Sequence, residues 1–159
     1  MRRSCEATAV IESPIEAVWQ VVSDVTRVGE WSGECHGCAW VGDADSPVPG
    51  AQFRGRNRRA YLRWTRLNEV IKVEPPHTFV WRTVPRFPYL DSSEWKLILT
   101  EEGSKTRVTE AFEILRLSKA MEGAINVFMP AHRDRNADLA ADLDRLKSLI
   151  ESVKPTTKP

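Results

Sequence analysis

Between residues 34 and 115 the apolar side chains recur with a period of two, in runs broken by turn signals. The runs cover 34–42, 50–58, 62–74, 78–85, 92–101 and 105–115. The segments "GDADSPVPG", "EPPH", "PRFPYLDS" and "EEGSKT" separate them, rich in the residues that turns need. Short connections between successive strands require antiparallel neighbours, because a parallel pair needs a long crossover. A further strand-like run, "SCEATAVIE" at 4–12, opens the chain. Seven strands of this kind make a sheet with one face to bury.

Two helical segments supply cover. After the first strand, Ser13 is the expected N-cap, Pro14 the first helical residue and Glu16 the capping-box partner. Ile15, Val18, Trp19, Val22 and Val25 then follow at helical spacing, and "VGEWSG" reads as a short second helix or turn. From Ala131 the period is helical again. Leu139, Leu143, Leu146, Ile150 and Val153 recur at steps of four and three, which makes one apolar stripe on a helix of about six turns. The expected fold is α+β: a curved seven-stranded antiparallel sheet wrapped around a long C-terminal helix, with two short helices between strands 1 and 2. Residues 1–153 form one domain in this reading, and 154–159 a polar tail. A helix gripped by a curved sheet leaves a cavity wherever facing side chains do not fill it.

Composition narrows the function classes. The net charge is +1 and 42% of residues are hydrophobic, so no bulk charge draws the chain to nucleic acid or a membrane surface. No apolar run approaches the roughly 18 residues of a membrane span. The start "MRRSCEATAVIE" has no signal-peptide core, and three cysteines form no disulfide framework, so a cytoplasmic chain with reduced thiols is expected. No phosphate loop, GxSxG elbow or HExxH motif is present, and neither a cofactor nor a metal is expected. Arg54, Arg56, Arg58, Arg59, Arg63 and Arg66 form the one local charge excess. A solvated strand face explains them without a nucleic-acid partner, although Tyr61 and Trp64 interleave.

"GECHGCAW" at 33–40 holds two cysteines and a histidine. Regular strand alternation sends Glu34, His36, Cys38 and Trp40 to one face and Cys35, Gly37, Ala39 and Val41 to the other. Cys35 and Cys38 would then diverge, too far apart for a disulfide or a shared metal. Structural packing is the expected role, with metal or redox chemistry as the alternative.

The stretches "ATAVIESPIEAVWQVVSDVTRVGEW", "PGAQFRGRNRRAYLRW", "VIKVEPPHTFVWRT", "SSEWKLIL" and "SKTRVTEAFEIL", with a final helix carrying "HRDRNADLAADLDRLK", resemble the START-like (SRPBCC) superfamily. This is the helix-grip group that includes Bet v 1-like proteins, and the subgroup resembled is polyketide cyclase/dehydrase-like. That subgroup's WSPE pattern reads "WSGE" here, Trp31 to Glu34. The resemblance implies a small hydrophobic or amphipathic ligand, lipid- or polyketide-like, between sheet and helix. The alternative it implies is a cyclase/dehydrase-type enzyme using the same cavity.

Candidate residues follow from the faces. Stepping back along the helical stripe from Leu139 reaches Asn136 and His132, which enter the cavity if the helix packs as expected. The alternative leaves that end in solvent. His132 is the strongest acid/base candidate because its pKa lies near neutrality. Val108, Glu110 and Phe112 share a strand face, so Glu110 points at the core and needs Arg82, His132 or a ligand as partner. Phe53 and Asn57 point inward, and Trp64, Trp81 and Trp95 are core or cavity wall. Trp31 and Glu34 join the site through the WSGE match. The segments "VPRFPYLDS" and "LSKAMEGAINVFMP", the latter with Phe128, are candidate rims.

Overall fold

Each period-two run becomes a strand. A computed structural model describes residues 1–153, and the expected tail at 154–159 lies outside the described residues. The strands are β1 (Ser4–Ile11), β2 (Cys35–Trp40), β3 (Gln52–Arg59), β4 (Leu62–Glu74), β5 (Thr78–Thr83), β6 (Ser92–Glu102) and β7 (Lys105–Arg116). They form one curved antiparallel sheet in the order β1-β7-β6-β5-β4-β3-β2, in keeping with the helix-grip fold. Successive strands from β2 to β7 are neighbours, as their short connections require. β1 closes the far edge beside β7, with Cys5 opposite Phe112 and Ala9 opposite Val108.

Among the described residues there are three α-helices: α1 (Ile15–Val22), α2 (Lys119–Phe128) and α3 (Asn136–Ser152). α1 leads into a 3-10 segment at Val25–Glu30, which supplies the second short helix expected before β2. Its N-cap differs from expectation. Pro14, in extended conformation, holds the cap position and makes no side-chain bond. Ser13 is used otherwise: its N–H donates to the Ile11 carbonyl, and its own carbonyl accepts the Thr106 hydroxyl.

The C-terminal region departs further. α3 has 17 residues, just under five turns. Pro130–Arg133 is a separate 3-10 turn carrying His132, and α2 precedes it as an independent helix. The stripe itself holds over Leu139, Leu143 and Leu146, all fully buried. Each removes most of a leucine side chain from water, about 1.5–3 kcal/mol apiece. Val153 lies outside the helix and is exposed. α3 packs against β1, β7 and α1, so its apolar face and the sheet together form the core. Ile11, Phe79, Leu97, Leu99 and Val108 meet Val18, Val22 and Leu146 there.

Strand β2 contains a bulge. Cys35 pairs with Asn57 and Gly37 with Arg56, which leaves His36 as an extra residue without an opposite number. Gly29 backs onto this point: a Cβ on it would lie 2.7 Å from the His36 carbonyl oxygen. The obstacle is backbone, so it cannot rotate away. Gly29→Ala is expected to cost about 1–3 kcal/mol, measured by urea unfolding. A change below about 0.5 kcal/mol would mean that the 3-10 segment is not seated on β2 as described.

Candidate functional site

The register sets what the inner sheet face presents. Opposed residues share a face, so Cys38, Gly55 and Arg66 form one row, and Phe53, Asn68 and Thr83 the next. A third row runs Val70, Trp81, Trp95, Phe112 and Cys5. The third row is aromatic at its centre. The Trp81 and Trp95 rings stack with centroids 6.1 Å apart, and Trp95 meets Phe112 at 4.7 Å. Between this face, the start of α3 and α2 lies a cavity of about 300 Å³.

Most of the residues singled out in the sequence meet here. Trp31, Glu34, Phe53, Asn57 and Trp64 line the cavity from the β2 side, and Trp81, Trp95, Glu110 and His132 from the other. Phe128 and Asn136 do not line it. Phe128 ends α2 with 64% of its surface exposed, while Met121 and Ile125 turn inward from the same helix. Asn136 opens α3 on the outer side, where its side-chain oxygen accepts the Glu6 N–H at 3.1 Å. Of the expected rims, Tyr89 and Asp91 reach the cavity, whereas Phe87 faces solvent.

Arginines and acids build the polar end. Glu34 accepts from His132 Nε2 at 2.6 Å and from Arg135 at 3.1 Å, and Arg59 lies 3.6 Å away. Burial by itself would raise the Glu34 pKa. The His132 hydrogen bond and the Arg135 charge prevail and bring it down to about 2. Glu34 is therefore a fixed anion, and His132 is held by it rather than standing free as a base. The Arg135 guanidinium lies over the Trp95 and Phe112 rings, 5.1 and 5.2 Å from their centroids.

Glu110 points inward, as its apolar neighbours predict, but neither of the two protein partners expected for it, Arg82 and His132, serves it. Arg82 pairs with Glu94 on the outer surface, and His132 is bound to Glu34. Glu110 is 2% exposed, and its Oε2 has no hydrogen-bond partner within the protein. Burial pushes its pKa up to about 8, reinforced by Asp142 and partly offset by Arg135. It is a neutral acid at neutral pH. Trp31 Nε1 and Arg135 Nε are likewise buried without a partner, and all three residues line the cavity. Unmatched buried polar atoms are costly and rare in native proteins.

Arg135 and Asp142 were not singled out in the sequence, yet a signal was there. Asp142 lies three residues after Leu139, within the apolar stripe, and a step of four back from Leu139 gives Arg135. Asp142 accepts the Gly33 N–H at 2.8 Å and Arg145 at 2.7 Å. This accounts for the WSGE sequence, since a proline at position 33 would have no N–H to give. The arginine cluster also divides. Arg54, Arg56 and Arg58 are exposed, as expected. Arg66 instead turns inward to a two-pronged bond with Asp91 at 2.8 and 3.0 Å, and Arg59 binds Asp138 at 2.7 and 3.0 Å.

The bulge at His36 overturns the expected divergence of Cys35 and Cys38. It turns Cys35 to the inner face beside Cys38, with the sulfurs 3.4 Å apart, and leaves His36 in solvent. Among the described residues no group of three or more His, Cys, Asp or Glu side chains is placed to hold a metal ion, and no helix is long and apolar enough to cross a membrane.

A curved antiparallel sheet closed by a C-terminal helix over an aromatic cavity defines a helix-grip protein with an internal pocket. The chain belongs to the family described as polyketide cyclase/dehydrase and lipid transport, whose model matches residues 2–151. Solved structures agree in fold. The ZhuI aromatase/cyclase from Streptomyces is 16% identical, with a TM-score of 0.71 over 97% of this chain and 96% of that one. TTHA0849 from Thermus thermophilus is 15% identical, with a TM-score of 0.72 over 96% and 99%. The Polyketide_cyc-like protein Cgl2372 from Corynebacterium glutamicum is 28% identical, with a TM-score of 0.56 over 95% of each chain. No curated protein sequence matches significantly.

Proposed function

We propose that the protein binds an amphipathic small molecule, a polycyclic or lipid-like compound carrying hydroxyl or carbonyl groups, in the cavity between the sheet and α3. One observation carries this reading. The cavity joins a wall of aromatic rings to three lining residues that each hold a buried polar atom the protein leaves unmatched: Trp31 Nε1, Glu110 Oε2 and Arg135 Nε. The rings supply apolar contact, about 25 cal/mol per Å² buried. The unmatched atoms orient the ligand's polar end, each hydrogen bond adding about 1 kcal/mol. Met121 and Ile125 of α2 add apolar surface to the same cavity. A cytoplasmic location belongs to the same proposal and suits a chain whose cysteines are all free thiols.

A second reading, cyclisation or dehydration in the same cavity, draws on the protonation of Glu110. A carboxyl that keeps its proton up to about pH 8 is an acid at neutral pH. It could deliver that proton to a departing hydroxyl. The name of the Streptomyces aromatase/cyclase is consistent with chemistry of this kind on the same fold.

The cavity tryptophans provide the test. Titration with a dihydroxyanthraquinone should quench indole fluorescence to a one-to-one endpoint. Trp31→Phe should weaken binding about fivefold, the worth of one neutral hydrogen bond. Anthracene, without polar groups, should bind more weakly to the native protein and equally to the variant. Equal affinity of both compounds for both proteins would remove the polar-end assignment, and no saturable quenching would remove the cavity as their site.

A further inference from the structure

Cys35 and Cys38 form a pair of thiols in the cavity wall, and the reading above gives them no role. Their sulfurs are 3.4 Å apart and half-buried, on the face that lines the cavity. The arrangement depends on the bulge: the extra residue His36 brings Cys35 to the face of Cys38. Gly55 lies opposite, where a Cβ would be in ordinary contact with both sulfurs, 3.5 Å from Cys35 Sγ and 3.6 Å from Cys38 Sγ. The two thiols also differ. The Cys38 hydrogen bond lowers the Cys35 pKa against the effect of burial, while that same bond raises the pKa of Cys38. Cys35 is the better nucleophile, and Cys38 keeps its proton. The remaining cysteine, Cys5, is buried on β1 and accepts the Arg135 N–H at 3.4 Å.

We propose that Cys35 and Cys38 form a redox-active dithiol in the cavity wall, which closes to an intramolecular disulfide when oxidised by a peroxide. The Cys35 thiolate attacks one peroxide oxygen. The O–O bond breaks, Cys35 becomes a sulfenic acid, and hydroxide leaves to take up a proton as water. Cys38 sulfur then attacks the sulfenic sulfur. An S–S bond forms, the S–O bond breaks, and hydroxide departs with the Cys38 proton as a second water. Hydrogen peroxide is thereby reduced to two waters, and the two thiols lose two hydrogens. A small-molecule dithiol reverses the step by exchange. The proposal does not depend on what the cavity binds.

The test uses the full chain, hydrogen peroxide and alkylation of the remaining thiols. No lysine or arginine lies between Arg27 and Arg54, so trypsin leaves both cysteines on one peptide, residues 28–54. After peroxide this peptide should escape alkylation and be lighter by two hydrogens, and dithiothreitol should restore double alkylation. Cys5 should stay alkylated throughout. In Cys38→Ser, the Cys35 sulfenic acid should accumulate and be trapped by dimedone. In Cys35→Ser, thiol loss should slow about tenfold. Double alkylation of the native peptide after peroxide would overturn the proposal, and so would disulfides between chains or equal rates of thiol loss in the two variants. The native-protein result stands even if a variant fails to fold.

Discussion

Glu110→Gln raises stability in alkaline solution by on the order of 5 kcal/mol and has little effect near pH 4. The folded-state pKa of Glu110 is about 8, against an ordinary value of 4.5, because the carboxyl is fully buried. A carboxyl with a raised folded pKa binds its proton more tightly in the folded protein. Its contribution is complete below 4.5 and is lost as pH rises through about 8. Glutamine has the shape of the protonated acid and nothing to lose. The stability difference between variant and native protein should open from about pH 4.5 and level off above about 8. Urea unfolding across this range measures it. A pH-independent difference would mean that Glu110 is ionised in the fold and has a partner.

The second large effect has the opposite pH sign. Glu34 is held at about 2 by His132 and Arg135 despite its burial. Its stabilisation is present above the ordinary 4.5 and is lost as pH falls towards 2. Glu34→Ala leaves the buried Arg135 without its carboxylate and frees His132. Loss of one partner from a buried ion pair typically costs about 3–5 kcal/mol, and the lower figure applies because Arg59 also relaxes towards Asp138. Glu34→Gln keeps hydrogen-bond acceptance and should recover part of the loss. It should also flatten the pH dependence between 2 and 4.5. A cost below about 0.5 kcal/mol for the alanine variant would show that Glu34 behaves as a surface ion pair. The two acids thus divide the cavity: one is a permanent anion that fixes Arg135 and His132, the other a neutral acid left for a ligand.

The sheet was legible because alternation and turn chemistry are local. Each run from 34 to 115 sits within a few residues of its strand, and the Val108, Glu110, Phe112 face is correct. The leucine stripe was legible for the same reason. Two features were hidden. The bulge at His36 changes the parity of alternation, and parity alone decided that Cys35 and Cys38 diverge. At the start of α3 the stripe offers two continuations from Leu139, and the step of four to Arg135, the N-cap, lines the cavity, whereas the step of three to Asn136 does not. His132 still arrives there, from a turn instead of the long helix. The arginines misled through composition: a cluster of like charge reads as a solvated surface until Asp91 and Asp138 are brought to it by distant segments. Pairings that span the whole chain, such as Glu34 with His132, leave no trace in local spacing.

The central claim is that the cavity holds an amphipathic molecule through its aromatic wall and its unmatched polar atoms. Native mass spectrometry of the freshly purified protein, followed by denaturing extraction, tests it most directly. The account predicts a one-to-one adduct that is released on unfolding, an apolar compound bearing hydroxyl or carbonyl groups, with reduced occupancy in Trp31→Phe. A clean unliganded mass that stays clean after incubation with dihydroxyanthraquinone, together with unchanged indole fluorescence, would contradict it.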